Sequence, residues 1–229
     1  MKQPFAGSEE EKKQIIKKQE SILVLLYAML QDREDDSMRK NLIDSGVAEG
    51  LLSVFERREL DFISVAETKT FFSITTPASD QIRLQLFDRR PFPGLLRILE
   101  HTDSIVVENG INSIYNILLS GSNTIQITET HPHYESLQDS NGVEKIYQLF
   151  NRNIDKFSKV RAAYCISIVY QGRVIDDQQM RVEVISYLKT LISDTDVWTK
   201  DTSQFALKQI AQNTVNKAEV EKDDLAIQQ

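Results

Sequence analysis

Two apolar positions recur along this chain in step with each other, and that recurrence limits it to a repeated helical unit. Phe55, Leu99, Phe150 and Ile192 each close an amphipathic stretch, at separations of 44, 51 and 42 residues. Ile74, Ile117, Ile168 and Ile210 each follow a polar residue late in the next stretch, at separations of 43, 51 and 42. Those polar residues, Ser73, Asn116, Ser167 and Gln209, stand 18, 17, 17 and 17 positions beyond the first anchors. Independent helices have no reason to keep that offset, whereas a unit of about 42 residues built from two or three helices does. Each stretch carries its apolar residues at three- and four-residue steps, as in Val143, Ile146, Leu149 and Phe150,. One unit cannot bury such faces alone, and stacked neighbours can.

A shorter helix precedes each pair, and a turn residue follows it. Leu42-Ile43 comes before Gly46, Leu86-Phe87 before Pro91, and Leu137 before Gly142. Glycine allows left-handed backbone and proline cannot continue a helix, so each marks a sharp corner. Val184 takes this place in the fourth unit, which predicts a nearly continuous helix over Arg181–Ile192. The run Gly142-Val143-x-x-Ile146-x-x-Leu149-Phe150, a polar break, then Val160-Arg161-Ala162-Ala163-Tyr164-Cys165-Ile166-Ser167-Ile168 resembles the armadillo repeat.

The resemblance implies an all-α, right-handed α-solenoid of about four armadillo-like repeats with an N-terminal helical cap. The expected organisation is a disordered N-terminus over 1–8, a capping helix and charged connector over 9–37, and an armadillo-like repeat domain over 38–213. Its units are 38–79, 80–133, 134–176 and 177–213, and a polar C-terminal tail follows over 214–229. Ser8 with Glu11 forms a capping-box pattern at the start of the first helix,. The long 51-residue step places an insertion at about 122–136, expected as a surface loop,.

Composition narrows the function. The net charge is −7 and no basic block is present, so the electrostatic footprint of a nucleic-acid or membrane-surface binder is missing,. The longest apolar run, Ile22–Leu30, has nine residues, against the ~20 needed to span a bilayer,. The single cysteine, Cys165, cannot form an internal disulfide and reads as a small core side chain,. His131-Pro132-His133 is the one histidine pair, and it lacks the spacing and partners of a zinc site,. The eight glycines are scattered, no nucleophile elbow is present, and Asp35-Asp36 and Asp176-Asp177 fall at helix starts,. The expectation is a non-enzyme without cofactor or metal. It is cytoplasmic, with the nucleus open, and monomeric, with a homodimer open.

The final helix of each armadillo unit lines the concave face. Members of the family that bind extended peptides carry an asparagine late in that helix and a tryptophan one turn earlier. Here Asn116 matches, while Ser73, Ser167 and Gln209 hold the other asparagine places and Lys69, Asn112, Ala163 and Phe205 the tryptophan places. The basic-peptide ladder of the importin-α type is therefore largely missing. Asn109, Asn112 and Asn116 share one helical face; Arg161, Tyr164 and Ser167 continue it in the third unit, and Gln204 and Lys208 in the fourth,. These eight are the expected partner-binding residues of a protein–protein scaffold or adaptor that holds a peptide or helix. The only tryptophan, Trp198, either packs under the last unit or anchors a partner,. Two alternatives stay open: an Hsp70 nucleotide-exchange-type cochaperone, and the regulatory repeat region of a larger signalling or cytoskeletal protein.

Overall fold

A computed structural model describes residues 7–222, and every regular element among them is helical. The chain forms two compact units, Met1–Ser120 and Gly121–Gln229.

In the first unit the helices are α1 (Glu9–Leu30), α2 (Asp36–Asp44), α3 (Val47–Arg57), α4 (Val65–Thr75), α5 (Asp80–Phe87), α6 (Phe92–Ile98) and α7 (Ser104–Ser122), whose last turn runs into the second unit. Ser8 starts α1: its hydroxyl accepts the Glu11 amide at 3.3 Å, and the Glu11 carboxylate accepts the Ser8 amide at 2.7 Å. Ser8 therefore belongs to the helix start and not to a disordered segment, while residues 1–6 lie outside the described residues. α1 packs on α4, where the Thr70 hydroxyl donates to the Leu23 carbonyl at 3.1 Å. Arg58 and Glu67 form a buried ion pair, and Arg58 also reaches Gln19 Oε1 at 2.8 Å, tying α1 to the α3–α4 junction.

The corners follow the expected position at Gly46 and are shifted by one residue at the other two. The left-handed residue is Gly46 (φ 79°) before α3, Arg90 (φ 52°) before α6 and Asn141 (φ 52°) before the helix that begins at Gly142. Glycine thus serves the backbone at Gly46, whereas Pro91 and Gly142 each stand one residue past the left-handed position. Gly142 is needed for space instead: a Cβ there would lie 2.6 Å from Leu137 Cγ and 2.7 Å from the Leu137 carbonyl oxygen. An exposed arginine with positive φ carries steric strain that glycine does not. Arg90→Gly is expected to raise stability by about 1 kcal/mol in urea unfolding.

The second unit holds α8 (Tyr134–Gln138), α9 (Gly142–Arg152), α10 (Lys156–Val169), α11 (Gln178–Leu191), α12 (Val197–Ile210) and α13 (Thr214–Val220). α11 is continuous through Val184, since no glycine or proline breaks it. Phe55, Leu99 and Phe150 are buried, but Ile192 lies just past α11 and is 38% exposed; Leu188 and Leu191 fill the core there. The second ladder, Ile74, Ile117, Ile168 and Ile210, is buried throughout.

Two loop and tail expectations are corrected. Residues 214–220, expected as part of a polar C-terminal tail, form α13, in which Asn216 is fully buried. Its Oδ1 accepts the Ile175 amide at 3.0 Å and its Nδ2 donates to the Arg173 carbonyl at 2.8 Å. Residues 223–229 lie outside the described residues. The insertion before α8 is not wholly a surface loop, for His131 and His133 are buried, edge to face, against Gly121. A Cβ on Gly121 would meet the His133 ring at 2.7 Å, so the missing side chain makes room for the pair. Gln171 at the end of α10 donates to the Gln126 carbonyl at 2.9 Å and ties down the loop.

Candidate functional site

The asparagines of α7 are largely turned inward. Asn109 and Asn112 are buried and Asn116 is part-buried. Asn109 Nδ2 donates to Thr68 Oγ1 at 3.2 Å and Asn116 Nδ2 to Thr75 Oγ1 at 2.9 Å, so both amides tie α7 to α4. In the second unit Tyr164 and Ser167 are fully buried. The Ser167 hydroxyl bonds the Ala163 carbonyl one turn back, at 2.7 Å. The Tyr164 hydroxyl donates to the Thr199 carbonyl at 2.9 Å and lies 2.9 Å from Ser203 Oγ. Tyr164 and Ser167 therefore face the core, because α10 is covered continuously from Ala162 to Val169. Gln204 and Lys208 are exposed and Arg161 is half-buried.

The second unit brings a different set together at the amino-terminal ends of α10 and α12. Both helices begin on an aspartate cap. Asp155 accepts the Ser158 amide at 2.7 Å, and Asp196 accepts the Thr199 amide at 2.8 Å. The cap fixes the first turn, so the aromatic residue two positions on takes the same place in each helix. These residues are Phe157, 40% exposed, and Trp198, 43% exposed. Between them lies Arg161, whose guanidinium carbon is 4.0 Å from the Trp198 ring centroid and 5.1 Å from that of Phe157. Tyr164 supports Trp198 from below, edge to face at 5.6 Å. Phe157, Val160, Arg161, Trp198 and Thr199 line a largely apolar cavity of about 270 Å³.

The rim is charged. Lys156 bonds Asp194 at 2.6 Å, and that ammonium holds the Asp194 carboxyl below the usual carboxylate range. The Thr199 hydroxyl and amide do the same for Asp196, so both carboxylates are ionised at neutral pH. From the cavity the exposed face of α12 continues through Trp198, Asp201, Phe205 and Lys208 at steps of three and four,. The arrangement can seat a large apolar side chain against two aromatic rings and a stacked guanidinium.

Trp198 packs on Tyr164, one of its two expected roles, and also lines the cavity. Phe157, Val160 and Phe205 were missed. A signal for Phe157 exists: Asp155-Lys156-Phe157-Ser158-Lys159 recurs 41 residues later as Asp196-Val197-Trp198-Thr199-Lys200. In the first unit Asp103-Ser104-Ile105 has the same form, with Asp103 capping at Ile105 and Ile105 half exposed.

Cys165 is buried, and burial pushes its thiol well up, away from the reactive thiolate,. Among the described residues no group of three or more His, Cys, Asp or Glu side chains is placed to hold a metal ion. Nor is any described helix long and apolar enough to cross a membrane.

No family model matches the chain, and no curated protein sequence matches it. Solved structures do. A computationally designed armadillo repeat protein for modular peptide recognition aligns with a TM-score of 0.67 at 16% identity, covering 90% of this chain and 82% of that one. A designed armadillo repeat protein in complex with the peptide (KR)4 aligns with a TM-score of 0.62 at 15% identity, covering 95% and 84%. An engineered protein aligns at 0.61 and 17% identity, covering 86% and 73%. At these identities the likeness concerns the fold, and with the all-helical architecture it gives the conclusion: this chain has an armadillo-like helical repeat fold.

Proposed function

We propose that the chain is a non-catalytic, peptide-binding repeat scaffold of about four armadillo-like units behind an N-terminal cap. Its seat is the cavity between Phe157, Arg161 and Trp198, and the ligand is a peptide that inserts one large apolar side chain there. The half-exposed aromatic pair on either side of a stacked guanidinium carries this reading. Rigid aromatic and arginine side chains around a preformed pocket are the usual anchors of binding energy. Gln204, Phe205 and Lys208 extend the seat along α12 and offer polar and apolar contacts to the rest of the peptide. In the first unit the part-buried Asn116 remains a proposed contact, whereas Asn109 and Asn112 are buried. The peptide recognition named for one of the similar designed proteins, and the peptide bound to another, support the same class of ligand.

Trp198 is the only tryptophan, which makes the seat its own reporter. Peptides selected from a random library on the wild-type chain are expected to shift its emission to the blue as they displace water. Trp198→Ala is expected to weaken them about thirtyfold, equivalent to about 2 kcal/mol, when followed by anisotropy of labelled peptide. Arg90→Gly, in the first unit, should leave affinity unchanged. Selected peptides that bind Trp198→Ala as tightly as wild type, without moving the wild-type emission, would sink this seat.

A further inference from the structure

From the cavity, α12 presents a straight row to solvent. Trp198, Asp201, Phe205 and Lys208 all lie within the helix, and all four are exposed. Their steps of three, four and three keep them on one face, and Trp198 and Phe205, seven positions apart, differ by about 20° around the axis. The two rings are 43% and 44% exposed, and their positions stand about 10 Å apart along the helix,. Lys200, the remaining charged residue of α12, lies about 100° round the helix from Asp201 and so outside the row,.

Such a face suits a helix better than an extended chain. An extended peptide has a backbone donor and acceptor to be met at every residue. In the second unit both asparagine places are closed. Ser167 is fully buried, and Gln209 is buried with its Nε2 donating to Ser122 Oγ at 2.9 Å and to Gln171 Oε1 at 3.1 Å. Gln204 offers one exposed amide beside the row. A helix satisfies its own backbone and meets α12 through side chains, at the same steps of three and four.

Charge sets the direction. Asp201 attracts a basic residue opposite it, and Lys208 an acidic one. The cavity lies at the amino-terminal, positive end of α12, and Lys208 lies in its last turn,. An antiparallel partner brings its negative carboxyl-terminal end to the cavity. Its acidic residue then falls near its own amino terminus and its basic residue near its carboxyl terminus, where its own dipole favours each. A parallel partner would reverse both.

We propose, resting on the seat between Phe157, Arg161 and Trp198, that its ligand is an amphipathic helix laid antiparallel along α12. From its amino terminus this helix carries an acidic residue against Lys208, an apolar residue against Phe205, a basic residue against Asp201 and a large apolar side chain in the cavity. The steps between them are three, four and three.

The probe is an alanine-rich peptide of about 20 residues, long enough to form a helix, with glutamate, leucine, lysine and phenylalanine at those steps. It is expected to shift the Trp198 emission to the blue. Phe205→Ala should weaken it about tenfold, and proline placed between its leucine and lysine about a hundredfold. The same residues in reverse order, which fit a parallel helix, should bind about threefold weaker. Asp201→Lys should weaken the probe about threefold, and a probe with glutamate in place of its lysine should recover that loss on the variant. An emission unmoved by about 1 mM probe overturns the helical ligand. So does unchanged affinity with Phe205→Ala, or with the proline probe, which would mean an extended chain. The seat itself fails separately, when library-selected peptides ignore Trp198→Ala.

Discussion

Replacing Arg39 by methionine is expected to cost the first unit about 3 kcal/mol or more, read as a lowered midpoint in urea unfolding followed by circular dichroism. Arg39 is completely buried, unusual for a residue in a charged stretch. Its guanidinium is held by backbone carbonyls. Nη1 donates to Arg33 at 2.7 Å, Nε to Ser73 at 3.2 Å and Nη2 to Leu30 at 3.3 Å. Leu30 ends α1 and Ser73 lies in the last turn of α4, where helical carbonyls lack intrahelical partners and the dipole is negative,. One side chain thus closes two helix ends and fixes the connector between α1 and α2. Methionine keeps much of the volume and removes every donor, so the buried carbonyls lose their bonds to a charged group. Lysine should recover less than half of the loss, because an ammonium cannot reproduce the planar fork. A methionine variant within 1 kcal/mol of wild type would show that these carbonyls do not need the guanidinium.

Gly142→Ala is expected to destabilise the second unit by about 2 kcal/mol, against the usual direction of glycine-to-alanine changes in helices. Alanine normally gains up to about 1 kcal/mol within a helix, by limiting the unfolded chain and favouring helical backbone. Gly142 occupies the first position of α9 and lies directly against α8. The new Cβ would sit 2.6 Å from Leu137 Cγ and Cδ1 and 2.7 Å from its carbonyl oxygen. A flexible side chain is displaced cheaply, but the backbone oxygen moves only if α8 moves, and Leu137 is itself fully buried. The steric term is thus the larger one. Leu137→Ala in the same chain is expected to relieve the side-chain part of the clash, and a double-mutant cycle would measure that coupling. Alanine at 142 with no loss of stability would mean that the α8–α9 corner is soft.

The two changes show where sequence reading succeeds and where it stops. The repeat was legible because it rests on spacing. Helix-period apolar residues, caps such as Ser8 with Glu11, and turn residues at the corners are local properties of the chain. They located the armadillo-like helices and the continuous α11. The binding strip was harder, since three- and four-residue steps identify which residues share a face but not which face another helix covers. Asn109 and Asn112 on α7 and Tyr164 and Ser167 on α10 share such faces, and packing buries them. Phe157 and Trp198 have an aspartate-cap register in common that was visible in the sequence, but nothing local says that the register leaves their rings at an open cavity.

Burial of charge was equally hidden. Arg39, within Asp35-Asp36-Ser37-Met38-Arg39-Lys40, has the composition of a solvated connector. It is buried because two helix ends converge on it and supply carbonyls in three directions. His131 and His133 belong to the same class, a polar pair drawn inside by the space that Gly121 leaves. By itself the sequence determined the unit length, the helical period and the positions of the corners, all set by interactions within a few residues. The tertiary structure alone decided which polar groups are enclosed, which aromatic rings stay open, and why Gly142 must lack a side chain. Those outcomes depend on atoms brought together from helices distant in the chain, and local chemistry does not encode them.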